Sequence, residues 1–293
     1  MRYRVRHVTR YAYGSPVELA AHMMHLRPRP CAGQTVISER IVTTPPAARR
    51  RDGHDHFGNW VTWLFLDLPH ADFEAVAEAV VDVSGLPIPP TAETPPWEAV
   101  VQAARTPEGW QAVEFSFPSS LAPADAEAAA YAAQSFPAGR PALEGLLDLN
   151  SRICADFRFR SGVTGVNTPV SEVMARREGV CQDFTHVMIS GLRGLGLPAR
   201  YSSGYIRTRP PPGQVRRRGA DQSHAWVGCW LGPAHGWIEL DPTNGVVVSQ
   251  EHVLLGWGRD FRDVSPVQGV ILGGGDHTVS VGVDLEPVEE DAV

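Results

Sequence analysis

A proline-dense stretch, GLPIPPTAETPPWEA at residues 85–99, is the feature that most limits how this chain can fold. Proline fixes φ and removes a backbone donor, so neither a helix nor a sheet strand runs through five of them in so short a space. The 293-residue chain is therefore read as two regions, residues 1–100 and residues 101–293. Before the break, RYRVRHVTRYAYG, QTVISERIVTTPP, NWVTWLFLDL and FEAVAEAVVDVSG are short runs rich in β-branched and aromatic residues, separated by Gly, Pro and Asp. That texture predicts a small β-sandwich. After the break, ADAEAAAYAAQSF has an acidic first turn, and ALEGLLDLNSRICADF spaces Leu143, Leu146, Leu147 and Ile153 as a helix does.

The clearest helix begins at Cys181. In CQDFTHVMISGLRGLGLPAR, Phe184, Val187, Met188, Gly191, Leu192 and Leu195 recur at helical spacing, and Gly194, Gly196 and Pro198 end the pattern. Gly179, just upstream, permits a tight entry. ARYSSGYIRT, SHAWVGCWLG, HGWIELDPTNG and, near the C-terminus, HTVSVGVDLEP then read as strands. A helix followed by antiparallel sheet is an α+β arrangement.

Several classes of function are disfavoured at once. A formal charge of -7 gives no general attraction for phosphates, so neither nucleic acid nor a membrane is an expected partner. No run reaches the roughly 18 apolar residues of a membrane span. The opening MRYRVRHVTRYAYGSP alternates instead of presenting an apolar block, which reads as a strand and not a secretion signal, and a cytoplasmic location is expected. Cys31, Cys154, Cys181 and Cys229 show no CxxC spacing, so neither a disulfide framework nor a structural zinc site is indicated. Cys154 and Cys229 read as small packing residues.

Cys181 is different. At a helix start, unpaired N–H groups and the positive end of the macrodipole favour an anion, here a thiolate, and the same N–H groups can serve an oxyanion. Position alone does not separate a nucleophile from a buried cysteine at a helix entry. The downstream strands do. If residues 232–235 form the hairpin loop, Leu231 pairs with Gly236, position 224 stands opposite 243, and Asp241 becomes the same-face diagonal neighbour of His224, about 7–8 Å away between backbones. A nucleophile, a base and a group that orients the base then follow in chain order as Cys181, His224 and Asp241.

At these residues the sequence resembles the transglutaminase-like superfamily, and within it the bacterial transglutaminase-like cysteine proteases. GVCQDFTH with LGLPARYSSGY, then SHAW, then GWIELDPTNG match the three blocks around that family's catalytic Cys, His and Asp. HVTRYAYGSPV, HLRPRP and DHFGNWV resemble the β-rich N-terminal region of the bacterial members, and HTVSVGVDLEP resembles their closing strand. The resemblance implies a papain-like core with Cys181 as nucleophile, His224 as general base and Asp241 as its orienting partner, with no cofactor and no metal. It does not assign a second oxyanion donor.

The expected activity is cleavage or exchange of a peptide, isopeptide or side-chain amide bond through an acyl-enzyme on Cys181, with hydrolysis favoured because no acceptor-amine site is identifiable. A protein-glutamine transamidase and a catalytically silent scaffold of the same fold are the alternatives; a zinc hydrolase using Cys181 and His224 lacks a ligand pair at usual spacing. Asp183 and His186, on the nucleophile helix, are expected to be structural, with Asp183 capping the first turn. Trp226 and Trp237 are expected to pack in the sheet. His54, Asp55 and His56 read as a turn rather than a metal site. Arg216, Arg217 and Arg218, in the basic loop 207–222, are expected to gather an acidic peptide substrate. Oligomeric state is open; an edge of the N-terminal sandwich offers a contact for a homodimer.

Overall fold

The computed structural model describes residues 1–208 and 221–288. Arg216, Arg217 and Arg218, and with them the expected acidic-peptide contact, lie outside the described residues.

Strands β1 (Arg2–Met24), β2 (Gln34–Thr44), β3 (Arg49–His54), β4 (Trp60–Leu66) and β5 (His70–Val83) form an antiparallel sheet in the order β2-β5-β1-β4-β3. The four expected runs become β1, β2, β4 and β5; the Arg-rich β3 has no apolar alternation, its side chains are mostly exposed, and it pairs along the edge of β4. From Phe73 to Val83, burial along β5 alternates residue by residue, as the period-2 pattern requires. The long β1 changes neighbours midway: residues 2–12 pair with β5 and residues 20–24 with β4. The sheet thereby folds over an interior of Val17, Ala20 and Met24 from β1, Ile41 from β2, Leu64 and Leu66 from β4, and Phe73, Ala75 and Ala77 from β5.

Helix α1 (Trp97–Ala104) starts directly after the last proline of the break, with Pro96 at its N-cap. It is followed by α2 (Ala126–Ala133), α3 (Ala142–Asp156), α4 (Val170–Arg176) and α5 (Cys181–Gly194). A second antiparallel sheet contains β6 (Ala199–Ile206), β7 (Gln222–Trp230), β8 (Trp237–Asp241) and β9 (His252–Gly258), in the order β8-β7-β6-β9. The helices and this sheet share one apolar core, to which α5 gives Phe184, Val187, Met188, Ile189 and Leu192. Helix α5 is buried on every side and not only along its apolar stripe. Arg193 is only 7% exposed, and its guanidinium donates to the carbonyls of Phe115, Ala199 and Arg259 at 2.7–3.1 Å. The central helix thereby ties the start of β6 and the segment after β9 to the residues around Phe115.

Strands β10 (Val267–Gly273) and β11 (His277–Pro287) return to the first sheet and pair antiparallel with β1. The N-terminal sheet is therefore built from both ends of the chain, although the proline break divides the sequence only once. The reason is local to β1: with β5 on one flank of its first half and β4 beside its second, its remaining edges would be unpaired without β11 and β10.

The two sheets meet over Tyr3, Val5, Val81, Val83, Val283 and Leu285 from the first and Tyr205, Val253 and Leu255 from the second. Two side-chain amides finish the junction by capping the outer edge of β9. Gln34 donates to the Leu254 carbonyl and accepts from its N–H, both at 2.8 Å. Asn59 does the same for Trp257 at 2.8 and 3.0 Å. The HLRPRP and DHFGNWV segments brace this clamp: Arg29 donates to Phe57 O and Asn59 Oδ1 and lies over the Trp257 ring at 3.6 Å. The expected turn at residues 54–60 is present, with Asp55 Oδ1 accepting the N–H groups of Phe57 and Asn59.

Across the second sheet, Arg200 on β6 and Glu239 on β8 both stand opposite Gly228 on the intervening β7. They form an ion pair over it, Nη2 to Oε1 at 2.5 Å, with Arg200 also lying over Trp237 and Trp257. A Cβ at 228 would fall 2.6 Å from Arg200 Nε and 2.7 Å from Glu239 Oε1. Gly228→Ala is expected to force this largely buried pair apart and destabilise the protein by about 3 kcal/mol, seen as a calorimetric Tm drop of roughly 6–12 °C. An unchanged Tm would show that the pair rearranges freely.

Candidate active site

Cys181 is the first residue of α5 and is half-buried. The chain enters through Gly179 and Val180. The Asp183 carboxylate folds back over the turn, where Oδ2 accepts the Val180 N–H and the Thr164 hydroxyl, each at 2.7 Å. A Cβ on Gly179 would sit 2.7 Å from that oxygen, so only glycine lets the cap close. Burial raises the Asp183 pKa against the opposing pull of these hydrogen bonds. His186 accepts the Phe261 N–H at 3.3 Å, packs on Tyr201 at 5.0 Å, and is lowered by burial to about 4. Both residues hold the helix in place, as expected from the sequence.

The β7–β8 hairpin has the expected register: Leu231 N–H donates to Gly236 O, Trp237 pairs with Trp230, and Leu240 pairs with Val227. His224 and Asp241 consequently meet, with Nε2 donating to Oδ2 at 2.7 Å. They are 8% and 0% exposed. Cys181 lies close enough to the same imidazole to act on its charge. Because Nε2 faces Asp241, Nδ1 is the ring nitrogen left for another partner.

Burial is the largest single influence on His224 and pulls it down, but the hydrogen bonds and charges of Asp241 and Cys181 together outweigh it and raise the imidazole to about 9. For Asp241, burial acts upward, and hydrogen bonds from His224, His252 and Asn244 overcome it and hold the carboxyl well below the usual range. Oδ2 also accepts Asn244 Nδ2 at 2.6 Å and His252 Nε2 at 3.2 Å, while Oδ1 accepts the N–H groups of Thr243 and Asn244 at 3.0 and 3.3 Å.

Sequence reasoning passed over Asn244 and His252. DPTNG carries turn chemistry that brings Asn244 back onto Asp241, and HVLLGWG is an apolar run with a strand signal; His252 stands at its first position. Among the described residues, His224, Asp241 and His252 are the group whose ligand atoms lie close enough, within 4.8 Å, to hold a metal ion. The spacing suits protons better. Two ligands each about 2.0–2.1 Å from a tetrahedral zinc stand roughly 3.3 Å apart, whereas His224 Nε2 and Asp241 Oδ2 are at 2.7 Å, and the raised imidazole holds its proton firmly.

Trp226 is buried and Trp237 half-buried, and both border a cavity of about 280 Å³ behind His252. Cys229 is buried in the core. Cys154 is half-buried, with Sγ 3.5 Å from Thr243 O, so it touches the Asp241 turn instead of filling the α3 core face. His54 packs on Trp60 at 3.9 Å and His56 meets Glu114 at 2.9 Å, so the two rings have separate partners. No helix among the described residues is long and apolar enough to cross a membrane.

A helix that presents a cysteine at its N-terminus and packs on an antiparallel sheet carrying a histidine–aspartate pair defines a transglutaminase-like, papain-like core. Comparison with known proteins gives the same answer. Residues 129–242, which contain Cys181, His224 and Asp241, match the model of the transglutaminase-like superfamily, and residues 3–82 match that of the bacterial transglutaminase-like N-terminal region. An uncharacterized protein of Mycobacterium tuberculosis is 40% identical over 304 residues, covering 100% of this chain and 95% of its own. The crystal structure of a "Putative Cysteine Protease" from Cytophaga hutchinsonii superposes with a TM-score of 0.75 at 21% identity, covering 100% of this chain and 92% of that one. A protein-glutamine gamma-glutamyltransferase of Pseudomonas aeruginosa is 31% identical over 88 residues, 30% of this chain and 13% of that protein. The chain belongs to the transglutaminase-like superfamily.

Proposed function

We propose that this protein is a thiol-dependent acyl-transfer enzyme that opens a peptide, isopeptide or side-chain amide bond through an acyl-enzyme on Cys181. The observation that supports this reading is one imidazole, His224, bonded to the buried Asp241 carboxylate and near enough to Cys181 to feel its charge. With the imidazole raised to about 9, its proton is in place at neutral pH. The sulfur attacks the amide carbonyl, and the N–H groups of the first turn of α5 face the developing oxyanion. His224 then delivers its Nδ1 proton to the departing amine as the C–N bond breaks, leaving a thioester. Water gives a proton to the now neutral His224 as it attacks the thioester, the C–S bond breaks, and the Cys181 thiolate leaves beside a His224 that is protonated again. Asp241 keeps Nε2–H directed at itself and Nδ1 toward the sulfur throughout.

Hydrolysis is the preferred outcome. Transamidation is the second reading, supported by the 88-residue similarity to the glutamyltransferase. It requires an amine held well enough to outcompete water. The first test is alkylation with iodoacetamide at pH 7 followed by peptide mapping. Cys181 is expected to take one equivalent ahead of Cys31, Cys154 and Cys229, with labelling slowed in His224→Ala. A Cys181 no faster than half-buried Cys154 would turn the reading into a silent scaffold. Peptide and isopeptide libraries offered with and without a primary amine then separate the two outcomes: free acid alone marks a hydrolase, and amine-linked product marks a transamidase.

A further inference from the structure

We propose that His252 is a positioning residue for the Asp241 carboxylate and, through it, for the His224 imidazole; the role rests on the thiol-enzyme reading above.

Four of the five hydrogen bonds to Asp241 do not fix it independently of its own turn or of His224. Thr243 and Asn244 belong to the turn that bears Asp241 and would travel with it. His224 is the group to be oriented, so it cannot serve as the reference. His252 comes from β9, the strand whose outer edge the N-terminal sheet clamps through Gln34 at Leu254 and Asn59 at Trp257. It is the contact that ties the carboxylate to the rigid junction of the two sheets.

Its ring orientation is set locally. The Ser249 N–H points at Nδ1, 3.5 Å away, which leaves the ring proton on Nε2 to be donated to Asp241 Oδ2 at 3.2 Å. A donor at this position steadies the oxygen from outside the turn that bears it.

His252 also closes the site. Its ring meets Trp226 edge-on at 5.3 Å and stands 6.0 Å from the His224 ring, and His252 and Trp226 are 5% and 1% exposed. On the far side of these two rings lies the cavity of about 280 Å³, walled also by Trp237, Leu231, Val247 and Leu254. That volume admits several waters. Without the His252 ring they would reach the carboxylate, raise the local dielectric and weaken its hold on the imidazole. The titratable groups around His252 are Asp241 and His224, with Cys181 beyond His224. Across the cavity stand Glu239, paired with Arg200, and His235 and Cys31.

The experiment compares full-length wild type with His252→Ala, His252→Phe and His252→Gln. The readouts are the His224 titration in ¹⁵N-histidine NMR, assigned by its loss in His224→Asn, and the pH profile of Cys181 alkylation. His252→Ala is expected to move the His224 midpoint down by about one unit and to move the matching step in the pH profile of Cys181 alkylation by the same amount. His252→Phe, which fills the space without donating, is expected to give about half that shift. His252→Gln, which restores a donor, should stay within about 0.3 unit of wild type. Unchanged midpoints in both the Ala and Phe variants overturn the proposal, and so does a Gln variant shifted as far as Ala. If His252→Ala does not melt cooperatively, the Phe and Gln pair decides alone. An inert wild-type Cys181 would refute the enzyme reading, and the NMR midpoints would still decide whether His252 positions the pair.

Discussion

Asp241→Asn is expected to reduce amide turnover roughly ten-thousandfold while leaving the fold in place, the scale seen when the orienting carboxylate of a nucleophile–histidine–carboxylate set loses its charge. The structure explains why an isosteric amide cannot stand in. Every group that faces the carboxylate is a donor: His224, His252 and Asn244 at Oδ2, and two backbone N–H groups at Oδ1. Either orientation of an asparagine sets its own NH₂ against donors, leaving buried groups unsatisfied at about 1–3 kcal/mol each. An NH₂ toward His224 also reverses the imidazole, which must then accept at Nε2 and carry its proton at Nδ1. Loss of the negative charge removes the main support that raises His224 to about 9. Alkylation of Cys181 at pH 7 should therefore slow at least tenfold even without a substrate. Turnover on any library peptide cleaved by wild type gives the second readout. Activity within tenfold of wild type would show that Asp241 is structural and that His224 is oriented by other means.

The convergence of Cys181, His224 and Asp241 was legible because each step rests on a short-range rule. Helical spacing from Phe184 to Leu195 located the helix start, and period-2 alternation with a four-residue loop located the hairpin register. Both rules are local, and the structure follows both. What escaped was non-local. Strands β10 and β11 belong to the N-terminal sheet because β1 has edges to fill, and nothing within Val267–Pro287 records the position of β1. Gln34 and Asn59 look like ordinary polar residues until the edge of β9 is placed beside them. His252 is the clearest example. Its ring lies on Asp241 only because β9 pairs with β6, the opposite side of the sheet from β8, and the curvature that brings both to one carboxylate is a property of the assembled sheet. The apolar stripe of α5 marks an amphipathic helix, yet its polar face is buried as well, because Arg193 and His186 find backbone partners in distant parts of the chain.

Stability is expected to peak near pH 6.5 and to fall steeply on the acid side. His7, His22 and His186 are each lowered by burial, first and foremost, to about 4. Between pH 6.5 and 4 the unfolded chain binds protons at these positions and the folded chain does not, so stability rises with pH across that interval and is lost as pH falls. Each such group contributes about 1.4 kcal/mol per pH unit, and three acting together give a slope near 4 kcal/mol per unit. Against a typical total of about 5–15 kcal/mol, that slope unfolds the protein within two or three units. His224 acts with the opposite sign. Its folded value near 9 exceeds the unfolded 6.5, so its contribution is complete below pH 6.5 and disappears as pH rises through 9. The depressed Asp241 adds stability that is present above about pH 4 and lost below it. The acid limb is testable at one position without disturbing a hydrogen bond: His22 stacks on Phe73 at 4.4 Å, and neither of its ring nitrogens has a partner among the described residues. His22→Phe should remove about one proton, or a third of the acid slope, in urea melts taken from pH 4.5 to 9. His7 cannot be treated in this way, because it bridges the sheets, with Nδ1 3.0 Å from the Tyr205 hydroxyl and Nε2 2.7 Å from Thr9 Oγ1. Protonating it disrupts the contact where β1 rests on β6, so acid is expected to separate the two sheets before it dissolves the helical core. Hydrogen exchange at pH 5 should show β1 and β6 opening while α5 remains protected; protection lost from all three together would mean that acid unfolds the protein as one unit.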